Sequence, residues 1–312
     1  MLIAWLEGAP KLGRNGRATQ ASNMRLAINS AVDNEGGEAQ TDAGYLLPVH
    51  NPDLVDWPAD PGGETKMLLA LRTQKAVLWW SIVFGVIFFI VLRFNLNGLP
   101  LPSPHWTAAE IAKHYSEHGS TIRLGAMVAA WTGAFVMLYG IVLTLQMYRH
   151  EKGRPPIWTF MAGLGWGIIT ITFALPMTFF GVAAYTPERA PEVTALMHEL
   201  AVLTFWTSNQ WTMFCLVPII AVCLTPNSVK HSPFPRWFGY FTIFASLILE
   251  LSSLCFITRS GPFAWNGVLT YWSVLIVFGI WMIVAYVLLF KAINAQMRDA
   301  ETAPTPVAVS AI

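Results

Sequence analysis

Charge is what this sequence has little of. Only 12% of its 312 residues are Asp, Glu, Lys or Arg, against roughly 25% in an ordinary soluble domain. The Lys and Arg are dispersed and the net charge is +1. No basic stripe is therefore available to neutralise a phosphate backbone, and nucleic acid is not expected as a partner. Cysteine is scarce too: Cys215, Cys223 and Cys255 all fall in apolar runs, without CxxC or CxxH spacing. That disfavours a zinc cluster or a redox pair and leaves small buried hydrophobes. There is no Walker sequence, no GxGxxG opening a helix and no GxSxG elbow, which disfavours nucleotide-driven transport and serine hydrolysis. A b-type haem needs imidazole at membrane depth, and His198, near a helix edge, is the lone candidate. His50, His150 and His231 are too scattered for the histidine boxes of membrane di-iron enzymes.

What the chain does have is apolar length. Hydrophobic residues make up 54% of it, with 14 Trp. Runs at roughly 76–92, 124–148, 157–184, 200–224, 237–257 and 268–290 each match the roughly 17–25 helical residues that cross a hydrocarbon layer. The pattern predicts an all-α polytopic membrane protein with six transmembrane helices. Lys66, Arg72, Lys75, Arg149, Lys152, Arg154, Lys230, Arg236, Lys291 and Arg298 flank one side; Arg93, Lys113, Arg123, Arg189 and Arg259 flank the other. The positive-inside bias then puts both termini in the cytoplasm of a cell with an inner (plasma) membrane. Trp79, Trp80, Trp158, Trp237 and Trp265 fall near the expected interfaces, where an amphipathic ring is favoured.

Residues 1–66 are polar and rich in Gly, Asp, Asn and Pro. They are expected to be disordered, as is the cytoplasmic tail 293–312. "MLIAWLEG" lacks the basic n-region of a signal peptide. "GGETKM" before Met67 resembles an encoded ribosome-binding sequence, so translation is expected to start at Met67. Thr107 and Glu110 form a capping-box pattern, which predicts a short helix over 108–118 on the outer membrane surface. Gly163 and Gly167 form a GxxxG pair, a candidate face for homo- or hetero-oligomers. Pro176 and Pro218 should kink the third and fourth spans.

Polar residues inside apolar runs are the candidate site. Glu250, in "SLILELSSL", is costly in hydrocarbon; such a residue faces a cavity, finds a partner or stays protonated. At 1.5 Å per residue its depth matches that of Asn209 and Gln210 on the preceding span, so contact between them is expected. Arg259 is too far along the same helix to reach Glu250 directly, while Arg123 can approach Glu199. With His198, Tyr185, Glu188, Arg189, Glu192 and Asn266, these residues are expected to line an outward-opening polar pocket. The competing reading makes Ser208, Asn209, Gln210 and Glu250 interhelical hydrogen-bond glue. A separate constellation, Glu110, His114 and His118, repeats every fourth residue on one helix face with His105 nearby. Such spacing can hold Zn or Cu, although a solvated face explains it equally well.

The segments "FPRWFGY" (Phe234–Tyr240), "GPFAWNG" (Gly261–Gly267) and "AAYTPERAPEVT" (Ala183–Thr194) resemble those of a group of bacterial multi-pass membrane proteins. The resemblance covers about residues 76–292. It implies the six-helix fold and the membrane location and supplies no activity. From the residues themselves, "PRW" is an inner-interface anchor and "GPFAWNG" a tight outer turn. Three functions remain open. One is binding or transport of a small lipophilic molecule through the outer-half pocket. A second is an intramembrane enzyme with Glu250 and Glu199 as acid and base and Trp206, Trp211 and Tyr271 holding the substrate. The third is a non-catalytic membrane subunit. No particular cofactor is indicated.

Overall fold

The computed structural model describes residues 63–98, 101–226 and 228–302, all within the second of two compact units, Val55–Ile312. The expectations for 1–62 and 303–312 lie outside the described residues. In chain order the α-helices are α1 (Gly63–Phe94), α2 (Ala108–Thr132), α3 (Phe135–Tyr148), α4 (Ile157–Ala183), α5 (Pro191–Thr207), α6 (Met213–Leu224), α7 (Arg236–Glu250) and α8 (Ser273–Thr302). They build six segments long and apolar enough to cross a membrane: Thr65–Phe94, Ala108–Tyr148, Ile157–Ala183, Pro191–Leu224, Arg236–Phe256 and Gly261–Thr302. No strand occurs among the described residues. The architecture is all-α and polytopic, as the six apolar runs predicted. The physical reason is that hydrocarbon offers no hydrogen bonds, so each spanning backbone must satisfy its own.

Several boundaries differ from expectation. The capping box forms, with Thr107 accepting from the Glu110 N–H and the Glu110 carboxylate accepting from the Thr107 N–H at 2.7 Å. The helix it starts is no separate surface element, because it runs unbroken through Gly119 into the membrane segment as far as Thr132. One helical glycine costs only about 1 kcal/mol, and Ile122 and Ala126 beyond it are buried. At the other end of the chain α8 continues past 292 to Thr302. Pro176 and Pro218, where kinks are expected, lie inside α4 and α6, which run on through them. The non-α turns lie elsewhere, as 3₁₀ segments at Ser208–Thr212 and Leu251–Phe256.

Large rings fill the bundle interior. Phe88, Phe135 and Phe173 meet with centroids 5.5–5.6 Å apart, and Trp166, Phe238 and Trp281 stack, Trp281 being fully buried. Trp281 donates its indole N–H to the Thr242 hydroxyl at 3.0 Å, tying α8 to α7. Glycines make room for these rings. A Cβ on Gly140 would lie 2.2 Å from Cγ of Trp166, and one on Gly165 would lie 2.8 Å from Sγ of Cys215. The close approach within the bundle therefore uses Gly165, while Gly163 and Gly167 face outward.

The two kinds of glycine make opposite predictions. Gly140→Ala overpacks the Trp166 seat and should cost about 1–3 kcal/mol, visible as a lower thermal midpoint in detergent. Gly167→Ala, whose Cβ meets nothing within 4 Å, should be neutral or gain up to about 1 kcal/mol from helix propensity. Equal midpoints for the two variants would contradict this packing.

Candidate functional site

Of the residues expected to line an outward-opening pocket, Arg123, Tyr185 and Arg189 share one cavity, and His198, Glu188, Glu192, Glu199 and Asn266 are not among its lining residues. His198 is 3% exposed; its Nδ1 meets the Tyr115 hydroxyl at 3.0 Å, and its ring is walled by Phe180 and Trp265. Trp265 is accordingly no interface anchor, for it is buried and donates to the Pro102 carbonyl at 2.8 Å. Trp79, Trp80 and Trp237 are exposed. Glu199 is taken by Arg259 in an ion pair, and Arg123 instead donates to the Gly119 carbonyl of its own helix at 3.3 Å. Tyr185, Glu188 and Glu192 are exposed. Glu110 is committed to its cap, His118 Nδ1 lies 3.1 Å from the His114 carbonyl, and no three His, Cys, Asp or Glu among the described residues converge as metal ligands.

The mid-membrane polar residues mostly serve their own backbone. Where 3₁₀ winding interrupts the α-helical bonding, side chains donate to nearby carbonyls. Thr207 bonds Leu203 at 2.6 Å, Asn209 bonds Trp206 at 3.0 Å, Ser252 bonds Leu249 at 2.8 Å and Ser253 bonds Glu250 at 2.7 Å; Ser208 and Thr212 do likewise. Asn209 makes no hydrogen bond to Glu250, Gln210 is exposed, and Glu250 Oε1 is buried without a hydrogen-bond partner. Of the proposed aromatic lining, Trp206 and Tyr271 do meet, at 4.7 Å, while Trp211 is 45% exposed and packs on Phe214. The gap beside Asn209 and Trp206, bounded by Phe89, Phe205, Leu275 and Phe278, holds only about 30 Å³, roughly one water.

A polar node that the apolar-run reading passed over lies at the opposite end of the bundle, where α3 ends and α4 begins. Gln146, 1% exposed, donates to Gln74 of α1 at 2.8 Å. Its carbonyl oxygen accepts from Gln296 of α8 at 3.0 Å and from Arg149 at 2.8 Å. Arg149 also donates to the Lys230 carbonyl at 2.7 Å, and Asp299 binds Lys230 and His231 at 2.5 and 2.9 Å. Next to this node Glu151, 8% exposed, accepts from the Trp158 N–H at 3.1 Å and from the Thr159 N–H at 2.7 Å and hydroxyl at 2.6 Å. It caps α4 from outside, as the prolines preceding Ile157 cannot, and a carboxylate there also meets the positive end of the helix dipole. The available signal was a glutamine near the same end of each of three apolar segments, Gln74, Gln146 and Gln296.

A feature large enough to hold a ligand, and walled mostly by apolar side chains, is a groove of about 810 Å³ between α1 and α8. Val86, Phe89, Ile90, Phe278 and Ile283 are among its walls, with Gly279 opening onto it and Arg93 at one end. Its polar element is Ser81, which donates to the Phe135 carbonyl at 2.7 Å and so accepts from the Tyr286 hydroxyl at 2.5 Å. Phe89, Leu275 and Phe278 border both this groove and the interior gap at Asn209. Comparison with family models, with curated proteins and with solved structures gives no match.

His150, in the turn between α3 and α4, makes the stability of this end of the bundle depend on pH. Its Nε2 meets the Ser232 hydroxyl at 3.0 Å, while Nδ1 is buried without a partner. Burial first, and then the Arg149 cation, hold its imidazole at about 4 against an ordinary 6.5, partly opposed by Glu151. The neutral ring is the native form, so this contribution to stability is whole above pH 6.5 and is lost as the pH falls toward 4. Thermal midpoints measured in detergent should therefore drop between pH 7 and 5. The drop should be smaller in His150→Gln, and equal slopes in the two proteins would refute the assignment.

Proposed function

We propose that the chain is an integral membrane protein that binds a small lipophilic molecule in the groove between α1 and α8. The carrying observation is the groove's size and chemistry: about 810 Å³ with walls dominated by Phe, Ile, Val and Leu, inside the roughly 300–1,000 Å³ range of small-molecule sites. It opens on the face the spans present to a bilayer, so an apolar ligand enters without crossing water. Gly279, where a Cβ would meet nothing within 4 Å, keeps it open, and Phe89, Leu275 and Phe278 border both the groove and the interior gap. Neither Glu250 nor Glu199 lines the groove. This favours binding or transport over acid–base catalysis by those carboxylates.

The same proposal includes an inner-membrane location with both termini cytoplasmic, on the charge asymmetry of the connecting segments. It includes kinship with the bacterial six-helix group that the Phe234–Tyr240 and Gly261–Gly267 segments resemble. The outward face at Gly163 and Gly167 is the proposed contact for oligomers.

Gly279→Phe tests the site, because a Cβ there meets nothing within 4 Å and the ring fills the groove without displacing backbone. Native mass spectrometry from mild detergent should show a retained lipophilic adduct on the wild type, reduced about tenfold or more in the variant, a change of roughly 1.4 kcal/mol or greater. Gly167→Phe, on a different open face, should keep the adduct. Equal retention by all three proteins would overturn the reading.

A further inference from the structure

We propose a second site, independent of the α1/α8 groove: the slot between α2 and α4 at the His198 end of the bundle binds an anionic glycerophospholipid, whose phosphate sits between Arg123 and Arg189. Both arginines line one outward-facing cavity of about 460 Å³, together with Tyr185, Ala126, Ala130 and Gly181. Its upper part carries the two guanidinium groups and the exposed phenol. Its lower part is a slot of small residues, where a Cβ on Gly181 would lie 3.2 Å from Cβ of Ala126. A cationic rim over an apolar slot matches an amphiphile with a negatively charged head and a hydrocarbon chain.

The level of the arginines in the bilayer agrees with that occupant. Ala108–Tyr148 has 41 residues, roughly 60 Å of helix, twice the 30-Å hydrocarbon thickness. Counted back from Tyr148, Arg123 lies about 37 Å along the axis, just beyond the hydrocarbon and at headgroup depth. Arg189 reaches the same level from the segment following α4, which ends at Ala183. Both guanidinium groups are held in place locally. Arg189 donates to the Val182 carbonyl at 2.9 Å and to the Thr186 hydroxyl at 3.3 Å, and Arg123 donates through Nε to Gly119. Neither is in an ion pair, the described pairs being Lys113–Glu117, Lys230–Asp299, His231–Asp299 and Arg259–Glu199. Two pre-positioned cations without a carboxylate leave N–H donors for the geometry in which guanidinium binds phosphate.

The test is native mass spectrometry of the full chain titrated with phosphatidylglycerol or phosphatidylcholine of identical acyl chains, with a third arm in excess inorganic phosphate. Wild type should prefer phosphatidylglycerol by about thirtyfold, the scale expected for two basic residues near an anionic headgroup. The double variant Arg123→Gln/Arg189→Gln should lose that preference, while Arg154→Gln at the other end keeps it. Arg189 also braces the end of α4, so Arg123→Gln alone, whose one hydrogen bond is exposed and within its own helix, is the second variant and should weaken the preference. Absence of a preference in the wild type, or its survival in the double variant and in Arg123→Gln, would overturn the site. Displacement of the lipid by inorganic phosphate would make it a free-anion site and overturn the lipid assignment.

Discussion

Hydrocarbon accepts no hydrogen bonds, and the rest of this structure follows from that constraint. A polar backbone or side-chain group within the spans must find its partner inside the protein, at a cost of several kcal/mol if it fails. Where the fourth and fifth spans depart from regular α-helix, the remedy is local. Ser208, Asn209, Thr212, Ser252 and Ser253 return bonds to carbonyls three or four residues back. Ser81 reaches across instead, joining the Phe135 carbonyl at the α2–α3 break to Tyr286 of α8. Polarity in the middle of the membrane is thus largely repair of the backbone.

Longer-range polar ties collect at the bundle ends, where water and headgroups lower the cost of an imperfect partner. At one end Gln146 holds α1 and α8 to α3, and Glu151 secures the start of α4. At the other, Tyr115 and His198 join α2 to α5 within a wall of aromatic rings, and Trp265 and Tyr271 bond the carbonyls of Pro102 and Gly98. Between these ends packing is set by where side chains are missing, as Gly140 and Gly165 show by admitting Trp166 and α6. The α1/α8 groove is the counterpart: Gly279 lies where no neighbouring side chain fills the space.

The spans were legible because hydropathy over some twenty residues reports a solvent and needs no knowledge of tertiary contacts. Thr107 and Glu110 marked a helix start correctly for a similar reason, since a capping box is a contact across three residues. Where that helix ended was not legible, because continuation through Gly119 depends on Ile122 and Ala126 being buried by other segments. Depth counting placed Glu250 near Asn209 along the membrane normal but carried no information on rotation about either helix axis. No hydrogen bond joins the two residues, Asn209 bonding the Trp206 carbonyl instead. The same limit explains Glu199, which met Arg259 rather than Arg123. The GxxxG glycines Gly163 and Gly167 face outward, and the glycine of α4 that packs closely within the bundle is Gly165.

Functionally, these features shift attention from charged residues in the spans to the surfaces facing the bilayer. His198 is buried against Tyr115 and Glu199 is paired with Arg259, while the α1/α8 groove is open, apolar and large. The proposed ligand site is this groove. The most direct measurement is photolabelling in liposomes with a lipophilic diazirine probe, followed by peptide mapping of the cross-links. Concentration of label on the segments around Phe89 and Phe278, with competition by excess unlabelled probe, is the predicted result. Uniform, non-competable label over the lipid-facing residues of all spans would contradict the claim.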